Sequence, residues 1–191
     1  MIVVQIGCNK SHDACYKYIM KNREELETAY LIEALPSCIP LIEAAYKDLP
    51  NVKVFNMGIG SESEDELEFF YPTNNPTSGH SSFNRNHLTS LAHRQISSVK
   101  IPCMTLNDFF DKEDIKECDR LYIDAEGLDC KILCSFNLEK YKIPYIDFES
   151  YNCDGSPKRG TTYNACVEKL KGLGYTITRS GLLNDIATLK I

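Results

Sequence analysis

The chain has 191 residues, of which 43% are hydrophobic and 25% charged, and its net charge is −6. That length supports one domain, residues 1–191, with a single sizeable core, and the acidic balance argues against a nucleic-acid partner. No apolar run approaches the roughly 20 residues of a membrane helix, so no membrane span is expected. Ile2 to Gly7 reads as a strand. It follows Met1 directly with no signal-like leader, which fits a minimal module or a domain of a longer chain. Asp13 to Glu27 is predicted as a helix with Tyr16, Ile19, Met20 and Leu26 on its apolar side. A second strand, Tyr30 to Ile32, ends in Glu33, and a second helix spans Pro36 to Lys47 with proline in its favoured first turn. Val52 to Met57 is the third strand. This β-α-β-α-β spacing predicts a parallel sheet with right-handed crossovers.

Regularity lapses after the acidic run Ser61–Glu66, which reads as a solvated loop. Leu67 to Tyr71 is a strand that protrudes or pairs locally, and Pro72 to Asn86 is a long loop of the kind that is either functional or disordered. Val99 to Met104 is a further strand, and Leu106 to Phe110 opens a helical turn. Leu121-Tyr122-Ile123 then ends in Asp124-Ala125-Glu126-Gly127, with a helical pattern (Ile132, Leu133, Phe136) behind it. Pro144 to Glu149 repeats that design, Thr162 to Gly172 is a helix, and Tyr175–Arg179 with Asp185–Ile191 form a closing strand pair. The nine cysteines form no C-x-x-C pair, so reduced thiols in a cytoplasmic setting are expected.

Ligands of open α/β sheets bind outside the carboxyl ends of the strands. Four strand ends bring polar groups to that rim: Gly7-Cys8-Asn9, Glu33, Asn56-Met57-Gly58 and Asp124-Ala125-Glu126. A glycine after the first strand lets a ligand approach the backbone, and an acid after the second can accept both hydroxyls of a ribose. The G-x-G-x-x-G fingerprint is absent, because Cys8, Asn9, Lys10, Ser11 and His12 follow Gly7. An adenosine cofactor without a pyrophosphate, S-adenosylmethionine, fits better. Asp124 and Glu126 either do chemistry there or cap the next helix.

In order and spacing, Gln5-Ile6-Gly7-Cys8-Asn9, Leu31-Ile32-Glu33-Ala34, Thr105-Leu106-Asn107-Asp108 and Leu121 to Asp129 resemble the FkbM family of S-adenosylmethionine-dependent O-methyltransferases. The usual family forms are D-I-G-A-N, an acid-ended second strand, T-L-D-D and K-I-D-V-E-G-A-E, so Gln5, Cys8, Asn107 and Asp129 are departures. Ser11 also departs, standing where a second glycine is common, and a helix that often precedes the first strand is missing. The resemblance implies a Rossmann-like class I methyltransferase fold, a seven-stranded mostly parallel sheet with a reversed C-terminal strand pair. It implies that Gly7, Cys8 and Asn9 lie near the methionine portion of the cofactor and that Glu33 holds the ribose. Asn56, Met57, Gly58 and Ile59 would lie along the adenine, with Asp124 and Ala125 at the sulfonium.

The reaction implied is methyl transfer to a hydroxyl of a small-molecule or glycan acceptor. The proton must go to a base, with His80, Asp124, Glu126 or Glu149 as candidates, or be acidified by Mg2+ or Mn2+ on Asp124, Glu126 and Glu149. His12, His87 and His93 show no ligand spacing and read as surface residues. Two other classes stay open: an NAD-dependent oxidoreductase and a non-catalytic cofactor-binding or scaffold module.

Overall fold

Strands that are apolar on both faces dictate the centre of the molecule. In β1 (Ile2–Ile6), Val3, Val4 and Ile6 are buried, and in β2 (Thr28–Glu33) every residue after Thr28 is. Such continuous apolar runs belong inside a parallel sheet covered on both faces. The computed structural model, which describes residues 1–153 and 158–190, builds a seven-stranded sheet from them. Its order is β3-β2-β1-β7-β8-β10-β9, with β3 at Val52–Asn56, β7 at Arg120–Ile123, β8 at Tyr145–Glu149, β9 at Thr176–Ser180 and β10 at Asn184–Thr188. The first five of these strands run parallel. β10 is antiparallel to both β8 and β9. The expected final strand ran on to Ile191, which lies outside the described residues. Two apolar clusters lie on the sheet, one holding Phe109, Phe110, Phe136 and Phe148 and the other Ile19, Leu31 and Ile42.

Helix boundaries shift from expectation for local reasons. α1 (Ala14–Lys21) stops short of Glu27 because Asn22 closes it, donating its backbone N–H to Tyr18 and Ile19 and its Nδ2 to Tyr18 O at 2.8 Å. A 3-10 turn over Arg23–Glu25 follows, so Leu26 reaches the core from extended backbone. α2 (Ile39–Ala45) carries Pro40, not Pro36, in its first turn, because residues 35–38 form a separate turn with Cys38 N bonded to Leu35 O at 3.0 Å. α7 (Thr161–Gly172) is followed by Gly174 at φ +89°, the left-handed exit that glycine favours.

A second, three-stranded sheet stands beside the first, in the order β4 (Gly58–Gly60), β6 (Ile96–Thr105), β5 (Glu64–Pro72). The acidic run is not all loop, since β5 begins at Glu64. The 72–86 segment folds back on β5 through the paired bonds Phe70 N to Ser82 O (2.9 Å) and Ser82 N to Phe70 O (3.0 Å). It then enters α3 (Arg85–Ser90), capped by Asn84 Oδ1. α4 (Leu106–Lys112), α5 (Asp129–Ser135) and α6 (Leu138–Tyr141) complete the elements.

Candidate active site

The strand order reverses direction between β1 and β7, and a crevice must open where crossovers depart to opposite sides. Gly7 and Asp124 face each other across that point. Asp124 N donates to Ile6 O and Gly7 N to Ile32 O, both at 2.9 Å. Gly7 has φ +75°, and a Cβ there would lie 1.9 Å from the Asp124 carbonyl oxygen. No other residue fits without moving the strand. The turn beyond is tightly wound, with Asn9, Ser11 and His12 also at positive φ.

Glu33 organises that turn. Its Oε2 accepts Cys8 N (3.0 Å) and Asn9 N (2.7 Å), and its Oε1 accepts Leu35 N (2.8 Å). Burial raises the proton affinity of this carboxyl, and the three N–H donors oppose that rise. The donors use three of about four lone-pair sites, leaving room for one further hydroxyl.

The crevice is an open cleft of about 560 Å3, counting space open to solvent. Gly7, Asn9, Glu33, Met57, Gly58, Ile59, Asp124, Ala125 and Glu126 all line it. Its roof comes from the 72–86 segment, through Ser78, Gly79, Ser81 and Phe83. Phe83 packs edge-on against Phe69, with ring centroids 4.9 Å apart. Gly58 makes room for it, since a Cβ there would lie 2.2 Å from the Phe83 ring. Ser82 Oγ donates to Glu126 O at 2.8 Å and ties the roof to the β7 turn.

Three expected site residues lie elsewhere. Cys8 is 1% exposed, and its thiol turns into the core towards Ile32 O and Gln5 O, so only its backbone N–H serves the turn. Asn56 holds the end of β2, its Nδ2 donating to Glu33 O and Ala34 O at 3.0 Å. His80 is turned to solvent by the Ser78 Oγ bond to its backbone N–H, and its Nδ1 lies 3.0 Å from His93 Nε2.

The acids do converge. Asp124, Glu126 and Glu149 each offer an oxygen within 4.8 Å of the others. Glu126 sits at φ +46°, strain of the kind stored at functional sites. Burial and then the Glu149 charge push its carboxyl up to about 8. Asp124 is reached by solvent through the cleft mouth, yet protein packs around it. Desolvation, then Glu126 and Glu149, raise it well above the usual carboxylate range. Glu149 accepts Asn152 Nδ2 at 2.6 Å, while its Oε2 has no hydrogen-bond partner among the described residues. No lysine or arginine among the described residues pairs with any of the three.

His87 corrects the surface expectation, because it is 1% exposed. α3 drives it inward beside Leu88, and its Nε2 lies 2.9 Å from Glu126 Oε2 without hydrogen-bond alignment. Burial lowers the proton affinity of this imidazole, against the pull of Glu149. Beneath the acids, fully buried Asp129 accepts Ala125 N (3.2 Å) and Glu149 N (3.3 Å) on Oδ1 and so fixes the spacing of the β7 and β8 ends.

Two of the departures noted in the sequence, Gln5 and Asn107, have local side-chain partners. Gln5 Nε2 donates to Asp13 Oδ2 at 2.6 Å, so the acid at that place comes from the α1 cap. Asn107 clips α4 to the α5–α6 connection, accepting Asn137 N (2.9 Å) and donating to Ser135 O (3.0 Å).

The Methyltransferase FkbM domain family matches residues 5–177. No curated protein sequence matches the chain. Among solved structures, an FkbM methyltransferase from Methylobacillus flagellatus KT superposes with a TM-score of 0.59 at 12% identity, covering 97% of this chain and 42% of that one. The chain therefore spans less than half the length of that protein. A precorrin-6y C5,15-methyltransferase from Geobacter metallireducens GS-15 gives 0.52 at 13% identity, covering 100% and 80%. The fibrillarin/Nop5p complex gives 0.53 at 10%, covering 100% and 72%. At these identities the likeness is one of fold: the sheet is that of class I methyltransferases.

Proposed function

The chain belongs to the Methyltransferase FkbM domain family, and on that premise we propose that it transfers a methyl group from S-adenosylmethionine to a hydroxyl of a sugar or glycan acceptor. The observation that carries this reading is the convergence on one cleft of Gly7, Glu33, the Met57–Ile59 segment and the Asp124–Glu126 turn. The cofactor supplies an electrophilic methyl on a sulfonium. Each part of the cleft has a task in holding it. Gly7 keeps the floor free of side chain, and the remaining acceptor site on Glu33 suits a ribose hydroxyl. Met57, Ile59 and Phe83 offer apolar surface to a flat base. Asp124, one of three acids without a lysine or arginine partner, favours a cation beside it.

Attack on the methyl requires the acceptor hydroxyl to lose its proton. Glu126 is the base we assign. It lines the cleft, and its raised proton affinity matches a general base working near neutral pH. His87 Nε2, 2.9 Å from its carboxylate, holds it in place by packing. Asp124, Glu126 and Glu149 also fit a hard divalent cation, and Mg2+ or Mn2+ held by them would acidify and orient the hydroxyl. Phe83 lines the cleft, and the segment around it supplies the aromatic and amide side chains Tyr71, Asn74, Asn75 and Asn84, a composition suited to a carbohydrate.

The test is transfer of tritiated methyl from S-adenosylmethionine to a panel of free sugars, glycosides and phenols, with and without Mn2+. Label on sugars that disappears in Glu126→Gln, while S-adenosylmethionine still binds, supports the reading. Label only on phenols would overturn the acceptor class, and full activity in Glu126→Gln would remove its role as base.

A further inference from the structure

Four of the nine cysteines gather behind the active site, where the mechanism uses none of them. Cys130 and Cys134 lie one turn apart on the face of α5 that meets α7. Cys166 on α7 lies with Cys130 and Cys153 in one buried cluster, and Cys134 packs against that cluster. Cys130 Sγ lies 2.6 Å from Cys153 Sγ, in the turn after β8. That separation is only roughly half an ångström longer than an S–S bond of about 2.05 Å. Cys134 is partly exposed, whereas Cys130, Cys153 and Cys166 are buried to within 1%. The cluster therefore reaches solvent at Cys134, and Cys153 lies behind the acids.

We propose that Cys130 and Cys153 are a reversible disulfide pair, oxidised from the surface by a low-molecular-weight disulfide acting through Cys134 and Cys166. Each step is one thiolate attacking one disulfide sulfur. Cys134 attacks the external disulfide, forms a mixed disulfide and expels one small thiolate. Cys166 attacks Cys134 sulfur and expels the second. Cys130 then attacks Cys166 sulfur, releasing the Cys134 thiolate, and Cys153 attacks Cys130 sulfur, releasing the Cys166 thiolate. In sum, one external disulfide is reduced to two thiols, and the Cys130 and Cys153 thiols lose two protons and two electrons to become one S–S bond. Cys166 is suited to the relay, because its Cys130 and Cys134 neighbours and the Lys169 ammonium lower its proton affinity and favour the thiolate.

The bond would join two segments that carry the site. Cys130 follows Asp129, the residue that spaces the β7 and β8 ends. Cys153 Sγ donates to Ser150 O (3.1 Å) and Glu149 O (3.4 Å), so it sits under the turn that begins at Glu149. Oxidation would fix Glu149 to α5 covalently.

The full chain, reduced and folded, is incubated with glutathione disulfide at graded ratios to glutathione, then alkylated and digested with trypsin without reduction. Cleavage at Lys131, Lys140, Lys158 and Lys169 puts each of the four cysteines in its own peptide. The expected product is the Cys130–Cys153 cross-link, two hydrogens lighter than its thiols. Cys153→Ser should arrest oxidation at Cys130–Cys166. The partly exposed variant Cys134→Ser should form the same final cross-link at least tenfold more slowly. A folded protein whose Cys153 stays alkylatable at every ratio would overturn the pair, and an unchanged rate in Cys134→Ser would overturn the relay.

Discussion

Gly7 and Glu126 carry the most consequence per atom in this chain. Gly7→Ala places a methyl group 1.9 Å from Asp124 O at φ +75°, so β1 and β7 must part or the turn must refold. The expected cost is on the order of 2 kcal/mol or more, together with loss of S-adenosylmethionine binding, read by denaturant titration and calorimetry. Glu126 makes stability depend on pH. Its carboxyl is raised in the folded state from 4.5 to about 8, first by burial and then by Glu149. A raised carboxyl contributes fully below its unfolded value, and that contribution is lost as the pH climbs towards the folded value. Glu126→Gln should therefore match the parent below about pH 4 and exceed it above pH 8 by on the order of 4–5 kcal/mol. Melting curves across that range check it, and identical curves for the two proteins would contradict it. His87 shows why some of this was illegible in the sequence. It lies in a short polar helix with no ligand spacing, and the group it meets on the inside, Glu126, is distant in sequence. The orientation of Cys8 is equally non-local, because the tight turn at Gly7 rotates its thiol into the core while leaving its N–H to Glu33.

Among the elements, those set by apolar period were legible and those set by side-chain caps or edge pairing were not. The strands β1, β2, β7 and β8 read directly because they are buried runs rich in Val, Ile, Leu and aromatic residues, and the edge strand β3 read from its Val-Lys-Val-Phe pattern. The end of α1 did not, because Asn22 decides it. The second sheet was half legible. Leu67–Tyr71 and Val99–Met104 both read as strands, but their pairing across the loop between them depends on tertiary register. α5 depends on a device with no local signature. Lys169 of α7 donates its Nζ to Leu133 O (3.1 Å), Cys134 O (2.8 Å) and Phe136 O (2.7 Å), carbonyls at the end of the helix, of which Phe136 O also accepts Leu138 N (3.0 Å). Lys169→Met keeps the stem but removes the donor to Leu133 O and Cys134 O. It should cost about 1–3 kcal/mol and speed hydrogen exchange at the end of α5. A change under about 0.5 kcal/mol would mean that water replaces the ammonium without loss.

At the scale of the whole molecule, the site is where it is because the sheet reverses order between β1 and β7. Two crossovers leave that point on opposite sides, so the cleft between Gly7 and Asp124 is built by topology before any side chain is chosen. The acids then occupy it without a lysine or arginine partner among the described residues, a repulsion tolerated only if the core beneath is strong. Phe110 is part of that core. It is fully buried and packs edge-on against Phe136 and Tyr141, with centroids 4.9 and 4.8 Å away. Phe110→Ala should cost about 3–5 kcal/mol, and a loss below about 1 kcal/mol would show that the cluster collapses around the void. The most direct test of the central claim is calorimetric titration of the purified chain with S-adenosylmethionine, alongside NADH as a control. The account predicts S-adenosylmethionine binding with a Kd on the order of micromolar, abolished in Gly7→Ala and weakened at least tenfold in Glu33→Ala, with no heat from NADH. A folded protein that takes up NADH, or that binds S-adenosylmethionine equally well without Glu33, would contradict it.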